Sequence, residues 1–252
     1  MDCNYRQNDL IYDIGAHKGD DAAFYLAKGF RVISVEAHPT HAAAIASRFS
    51  SEIRDGRLVL IDKGIYTETG VVDFYAHEHD DWSSFVKTER FAIGTYETIQ
   101  VNVISFEDLI HEFGVPYYLK VDIEGLDFAV LAHLPRLTVF PKYISFEHHN
   151  RSDTVFDDPK LRSKECLYIL ADAGYDCFKF VEQTAKNLHP LPDPPLEGRY
   201  VDYKFTGLMT GAFGEEAMGD WMSLSALLEL VEQTNRHWIP GCWYDFHARH
   251  HD

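Results

Sequence analysis

Asp9-Leu10-Ile11-Tyr12-Asp13-Ile14-Gly15-Ala16-His17-Lys18-Gly19-Asp20 is the stretch that decides the fold, and Arg31-Val32-Ile33-Ser34-Val35-Glu36-Ala37-His38-Pro39 completes it. The first run reads as a buried strand entering a glycine turn, and the second as a buried strand that ends on an acid. Between them Ala22, Ala23, Leu26 and Ala27 recur at helical spacing, with Asp20 as a cap and Gly29 as a left-handed stop. A strand, helix and strand in this order form a nucleoside-binding unit. Gly15 and Gly19 permit a tight turn and close approach of backbone to ligand. Glu36 stands at the end of the second strand, where a carboxylate accepts hydrogen bonds from two ribose hydroxyls.

The glycine pattern chooses among nucleoside ligands. A dinucleotide site calls for G-x-G-x-x-G, so that a pyrophosphate rests on bare amides at the helix start. Here position 17 is His, and Asp20 and Asp21 open the helix. Carboxylates there repel a pyrophosphate and suit a sulfonium cation, which favours S-adenosylmethionine over NAD.

Three strings, Asp13-Ile14-Gly15-Ala16-His17-Lys18-Gly19, Glu36-Ala37-His38-Pro39 and Lys120-Val121-Asp122-Ile123-Glu124-Gly125, occur in that order. Together they resemble the signature of FkbM-type S-adenosylmethionine-dependent methyltransferases, over roughly Leu10 to Phe180. The resemblance implies a class I methyltransferase fold, a Rossmann-like doubly wound α/β sheet of seven strands. It also implies methylation of hydroxyl groups on sugars or natural products. On that reading Asp13, Gly15, His17, Gly19 and Glu36 hold the cofactor, and Asp62 and the backbone around Lys63, after the third strand, are candidates for holding the adenine amino group.

Bulk properties agree with one large domain. The 252 residues suffice for a full α/β core, and a single domain over 1–252 is expected, with a core over about 9–182 and an aromatic-rich C-terminal extension over about 183–252. Lys+Arg number 23 against Asp+Glu 40, a net charge of −17 that argues against nucleic acid or an anionic membrane as partner. Cys3, Cys166, Cys177 and Cys242 make no C-x-x-C pair, the start Met1-Asp2 lacks the pattern of a secretory signal, and no apolar run reaches spanning length. A reduced, cytoplasmic protein is the expectation.

After Pro39 one helix face is apolar, and Arg57 to Asp62 reads as the third strand, with Leu58-Val59-Leu60-Ile61 as its apolar run. Gly64 to Tyr75 reads as a hairpin inserted beside the sheet. His77 to Thr95, with His79, Asp80, Asp81, Trp82, Ser83 and Ser84, reads as a polar loop rimming the ligand. Ile99, Val101 and Val103 alternate as a strand, and Ser105 and Asp108 form a capping box for the helix that Gly114 ends.

Tyr117 to Asp122 reads as a buried strand beside the first, delivering Asp122 and Glu124 to the carboxyl edge at the switch point of the sheet. Pro141 to Asn150 follows as the fifth strand running into a polar tip, with Glu147, His148 and His149 at the ligand edge. Asp122 and His148 are the expected catalytic pair, with a neutral imidazole taking the hydroxyl proton. Alternation along a strand sends neighbours to opposite faces, so only one of His148 and His149 serves. Lys120 is given no catalytic role. A divalent ion on Asp122, Glu147 and a histidine is an alternative way to orient a diol, but hard-ion sites need several oxygen ligands at close range and no metal is expected.

Tyr175 to Val181 is read as the sixth strand and Tyr203 to Phe205 as the last, with an amphipathic helix over Leu224 to Val231. Trp221, Trp238, Trp243 and Tyr244 are too apolar to leave in water and are expected to dock on the domain or on a second copy in a homodimer. His247, His250 and His251 read as a solvated end. The function expected is methyl transfer from S-adenosylmethionine to a hydroxyl of a small-molecule acceptor. Two alternatives stay open: a catalytically silent nucleoside-binding sensor or interaction domain, and an NAD-dependent oxidoreductase.

Overall fold

The computed structural model describes residues 5–79, 82–87, 89–148, 159–207, 209–237 and 242–251. Its centre is a seven-stranded sheet built from β1 (Arg6–Ile14), β2 (Arg31–Val35), β3 (Leu58–Ile61), β7 (Val115–Val121), β8 (Tyr143–Glu147), β9 (Tyr175–Glu182) and β10 (Tyr244–His250). Their order across the sheet is β3-β2-β1-β7-β8-β10-β9. All pairings are parallel except those of β10, which runs antiparallel to both β8 and β9. The expected doubly wound class I sheet is therefore present.

Helices cover both faces, as strands rich in Ile, Val, Leu and Tyr require. On one face Leu10, Tyr12, Ile14, Leu119, Val121, Ile144 and Phe146 pack with α4 (Phe106–Phe113), α5 (Asp127–Leu131), α6 (Pro159–Asp172) and α7 (Leu224–Arg236). On the other, Ile11, Val32, Tyr118 and Tyr143 pack with α1 (Asp20–Ala27) and with Phe205, Met209 and Phe213. α2 (Pro39–Arg48) and α3 (Ser50–Arg54) link β2 to β3 on this side. Ser105 accepts from the Asp108 N–H, the cap expected for α4, and Gly114 ends that helix at φ +85°. Asp20 does not cap α1; Gly19 occupies the cap position, and Asp20 pairs with Arg48 at 2.6 Å.

Two strand expectations are corrected. The segment after β3 is not a hairpin: β4 (Gly64–Tyr66) and β5 (Gly70–His77) flank β6 (Tyr96–Ser105), β4 parallel and β5 antiparallel to it, in a separate three-stranded sheet. Pairing with the longer β6 buries Phe74, Val101 and Val103 together, a small core that two strands alone would not close. The last strand of the main sheet is not 203–205, which has no regular structure, but β10. The tail thus enters between β8 and β9, where Phe246 and Ala248 are fully buried, and His247 is an interior residue and not a solvated one. Of the tail aromatics, Trp221 stacks on Tyr143 and donates to Glu215 at 2.8 Å, and Tyr244 stacks on Phe180. Trp238 lies outside the described residues, as do Asp80, Asp81 and His149.

Candidate active site

A crevice of about 900 Å³, counted out to its open mouth, lies along the C-terminal ends of β1, β2 and β7. The chain switches direction across the sheet between β1 and β7, and open α/β sheets bind ligands at such a point. Gly15 turns the chain there at φ +78°. A Cβ on it would lie 1.7 Å from the Asp122 carbonyl oxygen, so a side chain is excluded where the β1 turn crosses the end of β7.

The next residues fix Glu36. His17 adopts φ +49°, a costly value for a residue with a side chain, and its N–H donates to Glu36 Oε2 at 2.7 Å. The His38 N–H donates to Oε1, also at 2.7 Å. Glu36 is buried; burial, opposed by these two hydrogen bonds, pushes its carboxyl up to about 7. His41 packs edge-on against His17, stacks on His38 and brings Nδ1 to 3.9 Å from Glu36.

A buried ammonium organises the floor. Asp13, Lys120 and Asp122 share one sheet face through the two-residue period of β1 and β7, and Asp21 descends on them from α1. Lys120 Nζ lies 3.3 Å from Asp13 Oδ1 and 3.6 Å from both Asp21 Oδ2 and Asp122 Oδ2, and it donates to the Gly15 carbonyl at 3.2 Å. Burial works against the ammonium, but the three carboxylates outweigh it and hold Lys120 well above the usual lysine range. Burial pushes Asp21 up to about 6 even so; it accepts the Thr210 N–H on both oxygens.

The same sheet face continues across β8 and β10. Glu147 and Asp245 stand opposite each other in that antiparallel pair, and Asp122, Glu124 and Glu147 each bring an oxygen within 4.8 Å of the others. Burial first, then repulsion from Asp122 and Glu147, holds the Asp245 carboxyl well above its usual range. Ile65, Phe74, Ser83, Ser84 and Phe85 from the inserted segment close the opposite wall, in accord with a rim at residues 77–95.

Of the residues singled out from sequence, Gly15, His17, Glu36 and Asp122 line the crevice. Asp13 lies beneath, joined to it through Lys120, and Gly19 shapes the turn against Phe49 and Ile45. Asp62 is exposed past β3 and outside the lining, whereas Lys63, the other candidate there, lines the crevice. His148 requires correction. Glu147 shares the sheet face of Asp122, beside the crevice, so alternation turns His148 to the other face, where its ring is buried between Ser163 Oγ and Asn235 Oδ1, each at 3.1 Å, and packs on Phe180 and Phe246. A histidine so placed cannot reach a substrate hydroxyl in the crevice. Lys120, to which sequence reasoning gave no role, is the residue that holds Asp13, Asp21 and Asp122 together. The alternation Tyr118, Lys120, Asp122 was the signal for it, whereas nothing local marks Asp245, since its strand order is not visible in the sequence.

The profile of the family described as Methyltransferase FkbM domain matches residues 13–177. A search of curated proteins returns no match. Among solved structures, an FkbM methyltransferase from Methylobacillus flagellatus is 18% identical, with 71% of this chain and 40% of that one covered and a TM-score of 0.45. The present chain thus spans less than half the length of that protein. An O-methyltransferase from Bacillus cereus, solved with S-adenosylhomocysteine, is 14% identical over 69% of this chain and 67% of that one, with a TM-score of 0.39. An O-methyltransferase from Streptomyces achromogenes, solved with S-adenosylmethionine, is 12% identical over 69% of this chain and 66% of that one, also with a TM-score of 0.39. None of these structures bears on the acceptor. The profile, which takes in the Gly15 turn, Glu36 and the Lys120 cluster, places the chain in the family of FkbM-domain methyltransferases.

Proposed function

We propose that this chain methylates a hydroxyl group of a small polyhydroxylated or natural-product acceptor. One observation carries the reading: a buried carboxylate suited to ribose, Glu36, opens onto the same crevice as the Asp21 and Asp122 carboxylates, which suit a cationic donor. When bound, S-adenosylmethionine supplies a methyl group on a positively charged sulfur. Glu36 is oriented by two backbone amides to receive ribose hydroxyls, and Asp13 and Asp21 act through Lys120 to keep the floor of the crevice ordered.

Methyl transfer demands alignment and exclusion of water more than strong acid or base catalysis. Asp122, half-buried at the mouth, is the group placed to accept the hydroxyl proton, the part His148 cannot play. Phe74 and Phe85 supply apolar wall against which an acceptor ring can rest, and Ser83 and Ser84 supply hydroxyls beside it. A small molecule rather than nucleic acid fits the net charge of −17.

Calorimetric titration with S-adenosylhomocysteine, followed by assay of methyl transfer to a panel of sugars and hydroxylated natural products, tests the reading. Binding of the nucleoside and turnover of at least one hydroxylated acceptor are expected. Binding of NAD with no heat from S-adenosylhomocysteine would transfer the chain to oxidoreductase chemistry, and binding without turnover across the panel would leave a silent nucleoside-binding domain.

A further inference from the structure

One part of the crevice wall comes from outside the segment that the family profile covers. Every described lining residue but Met209 falls between 14 and 124, inside the matched range 13–177, and Met209 belongs to the C-terminal extension. It is buried and packs into the core that α1 shares with Phe205 and Phe213. The peptide joining Met209 to Thr210 is gripped on both sides. Its N–H donates to Asp21, 3.1 Å from Oδ1 and 3.2 Å from Oδ2, and its carbonyl accepts from Lys186 Nζ at 2.6 Å. Lys186 also donates to the Gly207 carbonyl at 2.7 Å, and the Met209 N–H donates to the Thr206 carbonyl at 3.2 Å.

The side chain is tied as well. Its sulfur accepts from the Thr206 N–H at 3.4 Å, which leaves hydrocarbon to meet the crevice. Methionine is ordinarily an adaptable filler, so one pinned at its N–H, its carbonyl and its sulfur presents a fixed shape instead. Asp21 gives that shape its place. The carboxylate that holds the Thr210 N–H also lies 3.6 Å from Lys120 Nζ and lines the crevice with Asp122. On the proposed reading these two acids receive the cationic end of the donor, while Glu36 receives its ribose. Met209 therefore borders the crevice at the sulfur end. Carboxylates tell donor from product by charge; a hydrocarbon wall tells them apart by the methyl carbon that only the donor carries.

We infer that Met209 is a specificity-determining residue for the donor, packing on the methyl group of S-adenosylmethionine and ranking that molecule above S-adenosylhomocysteine, an assignment that rests on the methyltransferase reading. Lys186, which stands outside the crevice lining, is the positioning residue: it holds the Met209 carbonyl and so keeps the side chain against the ligand.

Separate calorimetric titrations of the full chain with S-adenosylmethionine and with S-adenosylhomocysteine test this through the ratio of the two affinities, with no acceptor and no turnover. The wild type is expected to favour S-adenosylmethionine. Met209→Ala should lower the ratio by about fourfold, the worth of one buried carbon, whereas Met209→Leu, apolar and of similar volume, should keep it. Met209→Gln retains the length of the chain and puts an amide in place of hydrocarbon; it should show the same fall even if the alanine variant does not fold. Lys186→Met should lower the ratio too, and Lys186→Arg should restore it. General loss of structure weakens both ligands alike and leaves the ratio unmoved, so the ratio separates a contact with the methyl group from a purely structural role. Both ligands bound with the wild-type ratio in Met209→Ala and Met209→Gln would overturn the role of Met209 and leave the methyltransferase reading intact. Neither ligand bound by the wild type would remove that reading, and the role of Met209 with it.

Discussion

Glu36 shows how one residue ties stability to function. Its carboxyl titrates near 4.5 when unfolded and near 7 when folded, because burial outweighs the two amide hydrogen bonds. The folded state therefore binds the proton more tightly. The stabilisation this gives is complete below 4.5 and is lost as pH rises through 7. A ribose that donates to the carboxylate prefers the ionised form, so affinity for S-adenosylhomocysteine should rise between about pH 6 and about pH 8, with proton uptake by buffer at the lower end. Glu36→Gln should flatten that profile and weaken binding by about 1–3 kcal/mol; a profile identical to the wild type would take Glu36 out of the ribose contact. Gly15 is constrained differently. Gly15→Ala places a Cβ against the Asp122 carbonyl in a left-handed conformation, and roughly 2–5 kcal/mol of stability should be lost, read from the urea midpoint at constant m. An unchanged midpoint would mean that the turn relaxes freely.

Among the elements, β10 is the one whose place matters most. It separates β8 from β9 and supplies Phe246 and Ala248 to the core, so deleting residues 243–252 should abolish cooperative unfolding rather than trim a peripheral segment. A truncated chain that still melts in one sharp transition would argue against this topology. His247, on the same strand, is buried, and among the described residues both of its ring nitrogens lack hydrogen-bond partners. Burial, then the Lys179 charge, pushes its imidazole down to about 3. The neutral ring is retained in the folded state while the unfolded chain takes up a proton below 6.5, so this strand's contribution is present above 6.5 and is lost as pH falls toward 3. His247→Leu should therefore lessen acid sensitivity over that window without loss at neutral pH, as judged by Tm against pH. A variant as acid-sensitive as the wild type would place the effect elsewhere. β6 shows the same dependence on partners: β4 and β5 cannot close a core alone, and only a strand that begins 19 residues after β5 ends completes it.

For the molecule as a whole, the charge of −17 sets a background against which the local networks act. Exposed like charges repel over about 30 Å at 0.01 M salt and about 8 Å at 0.15 M. Tm should accordingly rise by about 2–4 °C across that range, the equivalent of about 1 kcal/mol for a chain of this size. A fall in Tm with added sodium chloride would show that surface pairs such as Arg31–Asp9 and Arg48–Asp20 outweigh the repulsion. No helix among the described residues is long and apolar enough to cross a membrane.

The amino-acid order alone determined the β1–α1–β2 unit, the glycine turn, Glu36 at its strand end and Asp122 at the switch point. The first three rest on periodicity, turn chemistry or spacing within about thirty residues, which a chain expresses before distant parts meet, and Asp122 rests on the resemblance of its string to that of the family. Tertiary structure decided what depends on remote neighbours: that β6 enters between β4 and β5, that β10 enters between β8 and β9, and that Lys120 is a buried hub. It also decided that Glu147 lies on the sheet face of Asp122 while His148 faces the opposite core. A strand's alternation states that two adjacent side chains must part, but not which of them meets the ligand. That choice is made by the register of the neighbouring strands and the helices packed over them.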